Sequence, residues 1–120
     1  MSDTPIRITI GDRSLSATLW DNPTGSALLD QLPATLTFED YGRQEVIATP
    51  PRPLTMAGMP AGDDPEIGDI GYYAPGGVVV LYYADVSYFP GIARIGRIDG
   101  DLSILEGRSE RFTATIERAG

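Results

Sequence analysis

Gly68-Asp-Ile-Gly-Tyr-Tyr-Ala-Pro-Gly-Gly-Val-Val-Val-Leu-Tyr-Tyr-Ala-Asp85 decides the fold: two short apolar, β-branched and aromatic runs are joined by Pro75-Gly76-Gly77. Such runs read as strands, and the junction reads as the turn of a hairpin. Neighbouring residues on a strand face opposite ways, so one tyrosine of each pair, Tyr72-Tyr73 and Tyr82-Tyr83, enters the core and the other turns outward. Ile70, Tyr72 and Ala74 make one inner face. With Asp85 setting the phase, Val79, Leu81 and Tyr83 are expected on the outer one.

The same period of two continues on both sides of this hairpin. Ile6, Ile8 and Ile10 alternate with Arg7 and Thr9, and Leu15, Ala17 and Leu19 alternate with small polar residues beyond Gly11-Asp12, which predicts a second hairpin. Asn22 suits a helix N-cap and Pro23 a first helical position, so a short helix is expected from about Pro23 to Gln31. Strands are expected over Ala34–Phe38 and Gln44–Ala48. Pro50, Pro51 and Pro53 then open a long loop to Ile67, and loops of that length in a small domain are usually functional or mobile. Ile92–Ile98 and Phe112–Ile116 are further strands, the last pairing with the N-terminal hairpin. Leu102 and Leu105 fit a helical turn or a short strand. Seven or eight short strands with one or two short helices make a single mainly β domain over 1–120, a small closed or nearly closed barrel.

Composition removes whole classes of chemistry. Seventeen acidic residues against nine basic give a net charge of -8, which repels a phosphate backbone, so nucleic acid is not an expected partner. The chain has no cysteine, histidine or lysine. Thiolates, imidazole bases and Schiff-base amines are therefore unavailable. Its start lacks a signal-peptide pattern, and no apolar run reaches the ~18 residues of a membrane span, so a cytoplasmic, acidic, non-membrane protein is expected.

Asp21-Asn-Pro-Thr24 with Leu28-Leu29 and Leu32-Pro33, then Asp40-Tyr-Gly42, Gly68-Asp-Ile-Gly-Tyr-Tyr-Ala-Pro-Gly76 with Leu81-Tyr-Tyr83, and Arg94-Ile-Gly-Arg-Ile98 carry a likeness. Taken in this order, from the Ile6 strand to the Ile116 strand, the chain resembles the small bacterial cyclophilin-like domains. The resemblance implies a cyclophilin-type barrel closed by short helices at its ends, in a group with no assigned reaction. It does not imply prolyl isomerase activity. Cyclophilins carry Phe-His-Arg, Gln-Gly-Gly-Asp and Gln-Phe-Phe segments; here the matching strand reads Val78-Val-Val-Leu-Tyr-Tyr83, and the single tryptophan, Trp20, lies on another element.

Six residues are expected to bind a ligand. Tyr73 and Tyr83 would floor a surface groove, and Tyr88 and Phe89 would contribute from a loop, although the commoner role of such aromatics is packing, under the long loop for the tyrosine pairs and as a plug at the barrel end for Tyr88 and Phe89. Arg52 and Met56 lie in the Pro-rich loop, where a guanidinium clamps carboxylates or carbonyls and a thioether adapts to apolar groups. Cyclophilins place an arginine and a methionine after their third strand, but Thr49-Pro-Pro-Arg-Pro53 lacks the surrounding motif. The carboxylates Asp63, Asp64, Glu66 and Asp69, and those of Asp99-Gly-Asp101 with Glu106, fit no calcium-loop spacing. No serine has a nucleophile setting. No catalytic residue, metal or cofactor is assigned. The expected function is binding of a small molecule or an extended, proline-containing peptide. The alternatives are an isomerase with a non-standard site and a non-catalytic interaction module, and the oligomeric state is left open.

Overall fold

The computed structural model describes residues 2–119. Alternating isoleucines build β1 (Thr4–Ile10), which pairs along its whole length with β2 (Arg13–Leu19). The tight turn between them has Gly11 at φ 61°, a backbone region where glycine carries no steric cost. Asn22 then caps α1 (Pro23–Leu29), its side-chain oxygen accepting from the Gly25 N–H at 2.8 Å and its amide donating to the Arg94 carbonyl at 3.1 Å. The helix ends two residues before the expected Gln31. β3 (Ala34–Tyr41), β4 (Glu45–Ala48), β6 (Asp69–Tyr73), β7 (Val78–Tyr82), β9 (Ile92–Asp99) and β10 (Phe112–Arg118) complete the main sheet. Between them lie β5 (Gly62–Asp63), β8 (Phe89–Pro90) and a 3-10 turn over Leu102–Ile104 capped by Asp101.

Eight antiparallel strands close into a barrel in the order β1-β10-β3-β4-β7-β6-β9-β2, and β10 pairs with β1 as expected. Closure leaves the main sheet without an edge. Ile6, Ile8, Leu19, Phe38, Val46, Ile95 and Ile116 fill the interior, each 1% exposed or less. The connectivity sends α1 across the end where β2 finishes and β3 begins, and the 3-10 turn across the opposite end, where β9 finishes and β10 begins. Leu28 from α1 and Leu105 beyond the 3-10 turn each enter the core.

The central hairpin is present, but one face assignment is corrected. Ile70 opposes Leu81 and Tyr72 opposes Val79, and directly opposed residues share a face. Val79 and Leu81 therefore point into the barrel with Ile70 and Tyr72, and Tyr83 continues that inner side. Tyr73, Val78, Val80 and Tyr82 form the outer face. Two physical causes hid this. The strand ends at Tyr82, so Asp85 says nothing about its phase, and the outer face is itself covered, with Val80 0% and Tyr82 1% exposed. A strand buried on both sides shows no polarity alternation.

Candidate ligand groove on the barrel wall

The outward residues of four strands form rows across the wall. Tyr41 on β3 opposes Glu45 on β4, and Glu45 opposes Tyr82 on β7. Two outward rows further along, Tyr73 on β6 opposes both Val78 and Ile92. Over these rows lies an open groove of about 520 Å³ floored by Ile47, Val78, Tyr82 and Ile92. Tyr41 and Gln44 stand on one side of it, and Tyr73, Val86 and Phe89 on the other.

Each wall is set by a local sequence device. Tyr82 lies flat because Gly71, its neighbour on β6, has no side chain: a β-carbon there would stand 2.7 Å from the tyrosine ring. Phe89 is carried by the two-stranded ribbon in which Asp63 opposes Phe89 and Gly62 opposes Pro90. A β-carbon on Gly62 would strike the Phe89 carbonyl at 2.7 Å, so glycine permits that ribbon to close. Phe89 then meets Tyr73 edge to face, with ring centroids 5.9 Å apart.

Glu45 is the groove's one carboxylate. Burial and the charge of Asp40 push its pKa up to about 7. Among the described residues no basic one lines this groove. Burial, with the charges of Glu45 and Asp69, also raises the Tyr82 phenol, which stays a neutral hydroxyl at ordinary pH.

The six expected ligand residues divide among three places. Tyr73 and Phe89 meet in the groove. Tyr83 instead sits at the barrel mouth beside the 3-10 turn, where its hydroxyl donates to Asp40 and its pKa is pushed up to about 12, by burial first and then by that bond and nearby acids. Arg43, Glu106 and Arg108 line the same mouth cavity. Tyr73 and Tyr83 therefore do not floor a common groove, because they lie on opposite faces of the sheet. Arg52 and Met56 belong to the loop that runs beside α1. Gln31 clamps the Arg52 main chain from both sides at 3.0 Å, and Met56 packs on the core with its sulfur 3.9 Å from the Thr24 hydroxyl. Tyr88, 58% exposed, precedes the ribbon and keeps its hydroxyl near Gly62.

Asp69, one of the four clustered carboxylates, is fully buried and holds Arg94 at 2.7 Å and Arg97 at 3.3 Å. It also accepts from the Glu66 N–H at 2.8 Å. This carboxylate ties the chain before β6 to β9, immediately behind Tyr82.

Tyr41, Glu45 and Tyr82 escaped the sequence reading. The expected third strand stops at Phe38, whereas β3 runs on and its alternation through Phe38-Glu39-Asp40-Tyr41 places Tyr41 on the outer face with Glu39.

A profile of the cyclophilin-like family matches residues 8–117. The chain belongs to the cyclophilin-like family. The solution structure of a hypothetical protein from Archaeoglobus fulgidus has the same fold as this cyclophilin-like domain, with a TM-score of 0.74 at 22% identity over 98% of this chain and 95% of that one. No curated protein matches the chain. Among the described residues of this cyclophilin-like domain no helix is long and apolar enough to cross a membrane.

Proposed function

We infer that this cyclophilin-like domain is a binding protein whose outer-wall groove receives a small molecule or an extended, proline-containing peptide. The observation that carries the reading is the pair of exposed aromatics flanking the groove: Tyr41 is 63% and Phe89 51% exposed. Large rings left in water on both sides of an apolar floor gain free energy when a ligand covers them, at roughly 25 cal/mol per Å² of apolar surface. The groove volume falls within the range of about 300–1,000 Å³ usual for small-molecule sites. The isomerase reading is weaker, since Arg52 is not among the groove residues and its main chain is fixed to Gln31.

Amide chemical-shift mapping against a metabolite set and proline-containing peptides tests the proposal. Hits should shift Tyr73, Val78 and Ile92 and should weaken at least severalfold in Phe89→Ala. Hits that map to the barrel mouth, or that bind Phe89→Ala as tightly as the parent, would overturn it.

A further inference from the structure

The two cavities differ in how their charges are balanced. At the barrel mouth Arg43 and Arg108 stand with Asp40 and Glu106, and Arg108 is further occupied by the Phe112 ring, 4.3 Å away, and the Ile104 carbonyl. In the wall groove Glu45 lies between Tyr41 and Tyr82 in one cross-strand row, and no guanidinium reaches it. Arg43 lines the barrel mouth and not the groove. Arg94 and Arg97 hold Asp69, and Arg111 pairs with Glu39 at 3.2 Å.

We propose that the groove selects a small apolar molecule bearing one ammonium group, which sits over Glu45 beside the exposed ring of Tyr41 while its apolar body lies along Val78, Ile92 and Phe89. This rests on the wall groove being the binding site and adds the charge of its ligand. Three features converge on a cation. A carboxylate without a counter-ion is completed by one, the exposed Tyr41 ring attracts one through its quadrupole, and the net charge of -8 raises its local concentration. An anionic ligand would meet Glu45 with no base in the lining to offset it. A neutral one would leave the carboxylate unpaired in a drier site.

Binding is then linked to the ionisation of Glu45. Tyr41 on β3 and Tyr82 on β7 flank it in the cross-strand row, Asp40 on β3 adds negative charge from the inner side, Asp69 on β6 acts on Tyr82, and Arg43 in the following turn faces the barrel mouth. In the free protein Glu45 holds its proton up to about pH 7, with burial and Asp40 as the causes. An ammonium must displace that proton, so affinity rises with pH and levels off above neutrality, about tenfold between pH 6 and 8. A primary alkylammonium keeps its own charge throughout that range.

Three probes of one shape test this: 4-phenylbutylammonium, 4-phenylbutan-1-ol and 4-phenylbutanoate, titrated at pH 6, 7 and 8 with amide shifts as readout. The ammonium should bind at the groove about tenfold more tightly than the alcohol, with the carboxylate weakest. Glu45→Gln should abolish both the preference and the pH dependence, bringing the ammonium to about the affinity of the alcohol. Equal binding of ammonium and alcohol, or an ammonium affinity flat with pH, would overturn the charge selection and leave the groove standing as a site. Absence of groove shifts with all three probes would overturn both.

Discussion

The ring of Tyr82 rests over the bare α-carbon of Gly71, so the floor of the wall groove depends on a side chain that is missing from the next strand. Gly71→Ala should push the ring off the sheet, costing about 1–3 kcal/mol as overpacking does. The groove should become shallower at the same time. Urea denaturation gives the stability, and near-ultraviolet circular dichroism reports the tyrosine environment. An alanine variant unchanged in both would show that the ring does not need this gap.

Glu45 sets a pH dependence whose sign differs from that of a salt-bridged acid. Its folded value of about 7 lies above the ordinary 4.5, so the native chain holds this proton more tightly than the unfolded chain. The associated stability is fully present below pH 4.5 and is lost as the pH rises to 7. Allowing for solvent screening of a half-exposed carboxyl, the loss is about 1–2 kcal/mol. Glu45→Gln should therefore gain on the parent progressively between pH 4.5 and 7 in urea melts. Parallel stability profiles for the two proteins would refute the account.

Asp69 anchors two arginines from a fully buried position, whereas Arg7 and Glu117 pair at the surface at 3.4 Å. Asp69→Ala should cost about 3 kcal/mol, because it removes the buried partner of Arg94 and Arg97 and leaves them only their longer contacts to the exposed Glu66. Arg7→Ala should cost less than ~1 kcal/mol. Comparing the two urea midpoints checks the ratio, and similar losses would mean that burial adds nothing to the Asp69 pair.

Asn22→Ala removes the helix cap and a bond to the Arg94 carbonyl, and should cost about 1 kcal/mol. Amide exchange should accelerate first at Gly25 and Ser26, whose N–H groups bond to the Asn22 side chain and main chain respectively. Uniform acceleration across the barrel would instead indicate a global loss.

Much of the barrel was legible because period-two patterning survives wherever one face meets water, as at Ile6-Ile8-Ile10 and Phe112-Ala114-Ile116. The same rule failed at Val78–Tyr82, where both faces are apolar and Val80 and Tyr82 are buried on the outer one as well. The helix start was readable from Asn22-Pro23, which carry their own capping chemistry. The groove was only half readable. Phe89 and Tyr73 advertise themselves as aromatics, but Glu45 becomes unusual through residues brought beside it by the β3-β4 and β4-β7 pairings. Its sequence neighbours give no sign of this. Met56 and Arg52 show the converse: residue types suited to a pocket that the chain path turns toward α1.

A closed ring of eight strands uses up its own main-chain donors and acceptors. A peptide laid on the wall therefore cannot extend the sheet and gains no ladder of backbone hydrogen bonds there. Its amide groups stay with water or go unsatisfied. Segments that tolerate this best are those with few amide hydrogens and a preformed extended shape, which is the character of proline-rich chain. The closure that stabilises the barrel thus acts as a filter on its visitors: side chains must supply the recognition, and strand-forming peptides have no advantage.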